Sequence, residues 1–495
     1  MKNLFRRLYL VIPFMLAAAA CEPETEVFSQ VPSDVVTSST SDEVIDVLKK
    51  GAYTSIIGTW GAHNSLWSMH EVSSDEMVIA QKGADWEDGG QWIRMHRHEF
   101  LPTEESINNG WNYCYGAIGN MNLLLLQFGS LEALSAEVRV LRALVYLWLI
   151  DAYGNVPIIT EDDTDATPPT RSRTEVFEFI ESSVMDNMEL LPDGPTYGTI
   201  NKDVANAILA KLYLNAEVYT GTPRWADAVT YADAVIESGN YSLASNFLSN
   251  FSTNNSNSTE NIFVLPYDEN NAQGFNLPQM TLHYASQATF NLQEQPWNGY
   301  ASLEEFYNSF DENDERIGSF IVGPQFDSEG NRLTDLSAEA DDPDGQPLTF
   351  TPEINELFPN SWRQGGARVG KWEFALGAGS NLSNDFPIFR LGDFYLVRAE
   401  ANFRQGNTAE ALADVNTIRA RANVAPLDAL DEDVLLAERG REMFAEGYRR
   451  SDLVRFGRFD DAWWEKPASP EFRELFPIPQ QQIDTNPELV QNDGY

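Results

Sequence analysis

The stretch AEVYTGTPRWADAVTYADAVI, residues 216–236, aligns without a gap on AEANFRQGNTAEALADVNTIR, residues 399–419, at an offset of 183. Ala216-Glu217 falls on Ala399-Glu400, Ala226 and Ala228 fall on Ala409 and Ala411, and Val229, Ala232 and Val235 fall on Leu412, Val415 and Ile418. Small and apolar residues recur at three- and four-residue steps, which places them on one face of a helix. Alanines on that face let two antiparallel helices approach closely, and Gly221 and Gly406 supply the short turns that close each hairpin.

Two such hairpins in one chain predict a tetratricopeptide-like scaffold of stacked helix pairs. Working outward, helical periodicity also marks residues 42–57 after an Asp start signal, resumes near Trp111, and runs through 135–153 with Val138, Leu141, Leu144, Val145, Trp148 and Leu149 on one stripe. Further helices are expected at 172–191, 202–219, 224–238, 391–405, 408–422 and 432–456. Residues 60–109 break into Gly, Asp, Trp and His, and residues 240–385 hold short apolar runs with many Asn, Gly and Pro and little helical pattern beyond 302–310. The expected fold is therefore mostly α. A helical scaffold drawn mainly from 41–58, 111–238 and 389–456 carries an irregular, loop-rich lobe drawn mainly from 60–110 and 240–385, the layer where binding residues usually sit.

At the start of the chain, Lys2, Arg6 and Arg7 precede an apolar run over residues 8–20 that stops at Cys21. A basic start and a hydrophobic core too short for a membrane span of ~20 residues read as a secretory signal. Ala18-Ala19-Ala20-Cys21 resembles the lipobox of bacterial lipoproteins, in which the cysteine receives a diacylglycerol and the preceding peptide is removed. Residues 1–20 are then a signal peptide, residues 21–40 a lipidated flexible tether rich in Glu, Ser, Thr and Pro, and residues 41–495 the folded domain. An ordinary signal peptide with an incidental cysteine is the competing reading.

The formal charge is −42, and without the first 20 residues it is 30 − 75 = −45. Such a field repels phosphate backbones and excludes nucleic acid as a partner. With Cys21 committed to lipid, Cys114 is the one remaining thiol, so no intramolecular disulfide can form. Stability has to come from packing, which 43% hydrophobic and 12% aromatic content can supply.

Four blocks together resemble the SusD/RagB family. VRVLRALVY (138–146) continuing to YGNVPI (153–158) looks like the family's R-x-L-R-A-x-x-Y…G-x-V-P stretch. FRLGDFYLVRAE (389–400) is a second block, and ERGREMFAEGYRRSDL (438–453) is similar to the E-R-x-x-E…E-G-x-R-x-x-D-L signature. The end, FPIP (476–479) through Asn486-Pro487 to QNDGY (491–495), looks like the family's terminus. Each block also has a structural reason: Arg and Glu on neighbouring helix turns form charge-assisted pairs, and Pro477 and Pro479 end helices and fix an extended tail. The resemblance implies a lipoprotein of the cell outer membrane, facing the exterior. It would capture oligosaccharide or polysaccharide and deliver it to a SusC-like TonB-dependent transporter, without catalysis and without a cofactor. Glu22, Glu24 and Glu26 resemble the signal that sends such lipoproteins to the cell surface.

Sugar capture needs flat aromatic faces for the apolar side of the ring and polar groups for its hydroxyls. The cluster GADWEDGGQW (83–92), with Asp85, Trp86 and Trp92, lies in a stretch that also holds Trp60, His63, Asn64 and Trp67. Glycines beside Trp86 favour a loop that presents its ring. QPWNGY (295–300), with Trp297, Asn298 and Tyr300, offers the same chemistry from the other lobe region. Trp86 and Trp297 are the expected ligand contacts. Trp67 and Trp92 read as support for the loop, and Trp111, Trp148, Trp225 and Trp463 as core. His96 and His98 lack a third ligand for a metal, and 311–315 lacks the glycine and terminal Glu of an EF-hand. Three alternatives stay open, a peptide-binding member of the same family, a surface glycoside hydrolase using a carboxylate pair, and a pure scaffold with no ligand.

Overall fold

The computed structural model describes residues 42–335 and 347–495, so the signal peptide, Cys21 and the tether lie outside the described residues. The architecture is carried by helices α1 (Asp42–Thr54), α2 (Leu66–Val72), α3 (Gln91–His96), α4 (Glu105–Phe128), α5 (Glu132–Ala152), α6 (Arg173–Met185), α7 (Lys202–Leu214), α8 (Ala216–Thr220), α9 (Trp225–Ile236), α10 (Leu391–Arg404), α11 (Thr408–Arg421), α12 (Glu432–Met443) and α13 (Arg449–Arg455). Residues Val47–Tyr495 form one compact unit.

Both hairpins form. Gly221 and Gly406 adopt left-handed φ values of 73° and 83°, where a residue without Cβ carries no steric penalty. Helix α9 packs against both α7 and α10, and α10 packs against α11, so the two hairpins stack on each other. The same array continues backwards through α6, α5 and α4. Leu396, Ala399, Val415, Ile418 and Leu435 are all fully buried where α10, α11 and α12 meet. Helix starts follow local chemistry: Ser172 and Glu175 make a capping box for α6, and Asn201 and Asp431 accept from the backbone N–H of Val204 and Val434.

Two expected helices are broken. The 202–219 pattern bends at Asn215, whose Nδ2 donates to the Lys211 carbonyl at 2.9 Å while its Oδ1 accepts from Arg455 at 3.0 Å. The 432–456 pattern is interrupted between α12 and α13, where Ala445 and Gly447 sit at φ 61° and 82°. Two buried carboxylates hold that break open. Glu76 accepts from the Ala445 N–H at 2.9 Å, and Glu71 accepts from the Gly447 N–H at 2.6 Å. Neither acid is near the break in sequence, so periodicity along 432–456 carries no sign of it. Trp225 and Trp463, expected in the core, are only partly buried, with Arg404 and Lys466 over their rings at 5.0 and 3.9 Å. Trp111 and Trp148 are buried.

Charged residues of the family-like blocks join Glu260, Asp314 and Arg316 in a buried ionic lattice. Arg390 contacts Glu260, Glu442 and Glu446; Arg316 contacts Asp314, Glu438 and Glu442; Arg439 contacts Asp393, Glu400 and Asp452. Each of these groups is nearly or wholly removed from solvent. Flanking arginines hold the Glu442 carboxyl well below the usual range against the opposing effect of burial, and Asp452 is lowered to about 2 in the same way.

Short antiparallel strand pairs fasten the irregular segments. β1 (Met77–Ile79) pairs with β3 (Tyr300–Ser302), and β2 (Asn261–Leu265) pairs with β4 (Phe386–Arg390), which leads straight into α10. The stretch 60–109, read as loop, contains α2, β1 and α3, and the segment expected to be helical at 302–310 keeps one turn, Glu304–Tyr307, behind β3.

Candidate aromatic cleft

The β1–β3 pair decides where the two tryptophan loops meet. Ile79 lies opposite Tyr300, so the chain leaving β1 and the chain entering β3 emerge side by side. A tight turn follows β1, with Lys82 and Asp85 exchanging backbone hydrogen bonds of 2.9 and 3.1 Å and Gly83 at φ 66°. Trp86 then takes φ 60°, an uncommon conformation for a bulky residue. Several contacts hold it there. Its Nε1 donates to the Trp297 carbonyl at 2.6 Å, its ring lies edge-on to His63 at 5.2 Å, and it packs directly over Gly299, where any Cβ would fall 2.4 Å from the indole.

The second loop is fixed by its backbone. Trp297, Asn298 and Gly299 donate to the carbonyls of Gln279, Leu282 and Met280 at 2.9, 2.9 and 2.6 Å. Asn298 donates to the Arg363 carbonyl at 3.0 Å and accepts from Arg368 at 2.8 Å.

These loops border a cleft of about 570 Å³. Of the residues singled out from sequence, Asp85, Trp86 and Trp297 line it, and Trp297 leaves 49% of its surface in solvent. Trp67, Trp92, Asn298 and Tyr300 are 0–1% exposed and stand behind the wall. Tyr300 is the hub of that backing: Trp67 meets it at 4.9 Å between ring centres, and its hydroxyl lies 2.7 Å from both Ser68 Oγ and His63 Nδ1. Trp67 donates onward to the Ala445 carbonyl at 2.9 Å, tying the cleft to the α12–α13 break.

His63, Asp88, Gln295 and Pro296 complete the lining from within the same two stretches, and Tyr284 joins from outside them. Tyr284 precedes a short helix, Ser286–Phe290, and donates its hydroxyl to the Asp85 carboxylate. Nothing in its local sequence marks it, because its role comes from the fold bringing residue 284 to residue 85. Asp88 accepts from Trp92 Nε1 at 2.8 Å. Burial lowers the His63 pKa to about 4, so its ring is uncharged near neutral pH.

The arrangement offers two adjacent aromatic rings with carboxylate, amide and phenol groups beside them. Elsewhere, a cavity of about 50 Å³ beside Trp60, His70 and Asp151 has room for water-sized guests. His96 and His98 turn to separate partners, the carbonyls of Trp464 and Ser73, each at 2.8 Å. Among the described residues no group of three or more His, Cys, Asp or Glu is placed to hold a metal ion.

A family model described as the SusD family matches residues 235–495, and a second, described as starch-binding associating with outer membrane, matches residues 28–214. The chain is 29% identical to the starch-binding protein SusD of Bacteroides thetaiotaomicron, over 88% of this chain and 86% of that one. Among solved structures, a SusD superfamily protein from Parabacteroides distasonis superposes with a TM-score of 0.74 at 21% identity, covering 92% of this chain and all of the other. Surface glycan-binding protein A from Bacteroides thetaiotaomicron, solved in complex with laminarihexaose, superposes with a TM-score of 0.73 at 22% identity and the same coverage. At these identities the two structures establish the shared fold.

Proposed function

We propose that this chain, which belongs to the SusD family, captures oligosaccharide in the cleft between Trp86 and Trp297 and passes it to a SusC-like TonB-dependent transporter. One observation carries the reading: Trp297 holds half of its surface in solvent while its backbone and its neighbour Trp86 are rigidly fixed. An exposed ring on a fixed backbone costs less ordering of its loop when a sugar stacks on it. Asp85, Asp88 and Gln295 supply hydrogen-bond partners for hydroxyls alongside. Relatives support the same class of ligand, one being a starch-binding protein and another a glycan-binding protein solved with laminarihexaose.

On this reading Cys21 carries the lipid, residues 21–40 span the gap to the outer membrane, and the protein faces the exterior. The scaffold of 41–58, 111–238 and 389–456 meets the transporter, and the loops of 60–110 and 240–385 meet the ligand. Binding is reversible, so that the sugar can leave for the transporter.

The test is affinity electrophoresis and calorimetry of the chain from residue 22 onward against plant, algal and fungal polysaccharides, with Trp86→Ala and Trp297→Ala alongside. Binding lost in Trp297→Ala with an unchanged melting curve supports capture at this cleft. Binding indifferent to both substitutions moves the site elsewhere. Release of reducing ends that stops in Asp85→Asn or Asp88→Asn makes the protein a hydrolase instead, and binding of peptides in place of sugars makes it a peptide-capturing member.

A further inference from the structure

We infer that the cleft selects uncharged glycans and rejects chains bearing carboxylate or sulfate groups, an inference that rests on glycan capture at this site. Asp85 and Asp88 are the charged side chains on the cleft wall, both are acids, and both are exposed. The wall's imidazole, His63, is packed among Trp86, Trp92 and Tyr300 and carries no charge near neutral pH. Three cations stand behind the wall, and one of them, Arg368, is 1% exposed and donates to Asn298 at 2.8 Å. Lys82, 3% exposed, is turned to the carbonyls of Ala80 and Gly299 at 3.0 and 3.4 Å, and Arg363, 6% exposed, interacts with the Tyr284 hydroxyl. None of the three borders the cleft.

A bound uronate or sulfate would therefore meet two carboxylates and, among the described residues, no cation on the wall. Neutral sugar hydroxyls, by contrast, can donate to the acceptor positions that Tyr284 and Trp92 leave free on Asp85 and Asp88. Carboxylates accept hydrogen bonds and cannot donate them, so an anionic substituent has no favourable pairing with either acid. A volume of about 570 Å³ is on the order of 8 Å across, comparable with the Debye length of ~8 Å at physiological salt, so the repulsion survives there and fades near ~1 M. The net charge of −42 adds a field of the same sign.

The experiment uses malto- and laminari-oligosaccharides and their uronate counterparts, oxidised at the primary alcohol so that chain length and linkage are matched. Calorimetry is run at low, physiological and high salt on the wild type, Trp297→Ala and the double variant Asp85→Asn/Asp88→Asn. The asparagines keep the acceptors for Tyr284 and Trp92 and remove the charge. The neutral member of a pair should bind roughly tenfold tighter or more than its uronate, and that ratio should collapse toward one in the double variant and at high salt. Uronates binding as well as neutral sugars, with both abolished by Trp297→Ala, would overturn the selectivity and leave glycan capture standing. So would a ratio unmoved by the double variant. If no neutral or anionic probe binds, capture itself fails and the selectivity falls with it.

Discussion

The indole nitrogen of Trp86 donates a 2.6 Å hydrogen bond to the backbone carbonyl of Trp297, 211 residues further along the chain. The bond joins the two loops that border the cleft, and it joins them through a side chain on one and the backbone on the other. The Trp297 ring is thereby left free of structural duty while its mount is fixed. Trp86 carries both roles, a wall of the cleft and a brace for its neighbour. That asymmetry separates the expected effects of the two residues.

Trp297→Ala removes a ring that is half in solvent, so the urea midpoint should stay near that of the wild type. Glycan affinity should fall by about tenfold or more, since a stacked ring contributes on the order of 1–2 kcal/mol. Trp86→Phe keeps an aromatic face but loses the donor to Trp297. It should weaken both binding and stability, the latter by about 1 kcal/mol, the usual net contribution of one hydrogen bond. Calorimetry and urea denaturation on the two variants check the split.

Glycines provide a second separation. At Gly299 a Cβ would sit 2.4 Å from the Trp86 ring, so Gly299→Ala must displace the indole, and glycan binding should drop sharply with the fold intact. At Gly119, on the exposed side of α4, nothing lies within 4 Å of the same added atom. Gly119→Ala should therefore raise stability by about 0.5–1 kcal/mol through helix propensity alone and leave binding untouched. A pair of denaturation and binding curves distinguishes the steric effect from a general intolerance of alanine.

The scaffold was legible because its cause is local. Alanine spacing and the two turn glycines lie within each hairpin, and both hairpins form where the repeat predicts them. The mostly helical fold and the family resemblance followed from residues that repeat or cluster along the chain. What sequence missed was decided across long separations. The α12–α13 break depends on Glu71 and Glu76, more than 360 residues upstream, and Tyr284 enters the cleft through a hydrogen bond to Asp85. The tryptophans show the same divide. Gly83 near Trp86 indicated a loop and Trp92 read as its support, yet that Trp86 would brace the Trp297 backbone, 211 residues away, was settled by tertiary packing.

The buried lattice predicts a large effect from one substitution far from the cleft. Arg390 is fully buried among Glu260, Glu442 and Glu446. Arg390→Met keeps much of the volume but leaves three carboxylates short of a counter-charge. Breaking a buried pair from one side typically costs ~3–5 kcal/mol, and chemical denaturation should show a loss of that order. A loss below ~1 kcal/mol would mean that Arg421 and Arg316, which also reach Glu442, take over the compensation.

The break between α12 and α13 should make stability depend on pH near neutrality. Burial raises the Glu71 pKa from 4.5 to about 7, and burial followed by the Glu71 charge raises Glu76 well above its usual value. Facing them are Lys371 and Glu446 on the Glu71 side and Arg449 on the Glu76 side, and the cations only partly offset the cost of burying two acids. Because both pKa values are raised in the folded state, the Glu71 contribution is fully present below about pH 4.5 and is lost as the pH rises through about 7, and the Glu76 contribution is lost in the same direction. Urea midpoints should therefore fall from about pH 4.5 to just above pH 7 by an amount equivalent to a few kcal/mol at most. Glu76→Gln, which keeps an acceptor for the Ala445 N–H and removes one ionisation, should flatten that slope and raise stability at about pH 8 relative to the wild type. Because Trp67 links the break to Tyr300 behind the cleft, the wild type should also lose glycan affinity over the same pH range, and Glu76→Gln should lose less. A flat wild-type profile from about pH 4.5 to pH 8 would show that the charges around the two acids fully offset the cost of burying them.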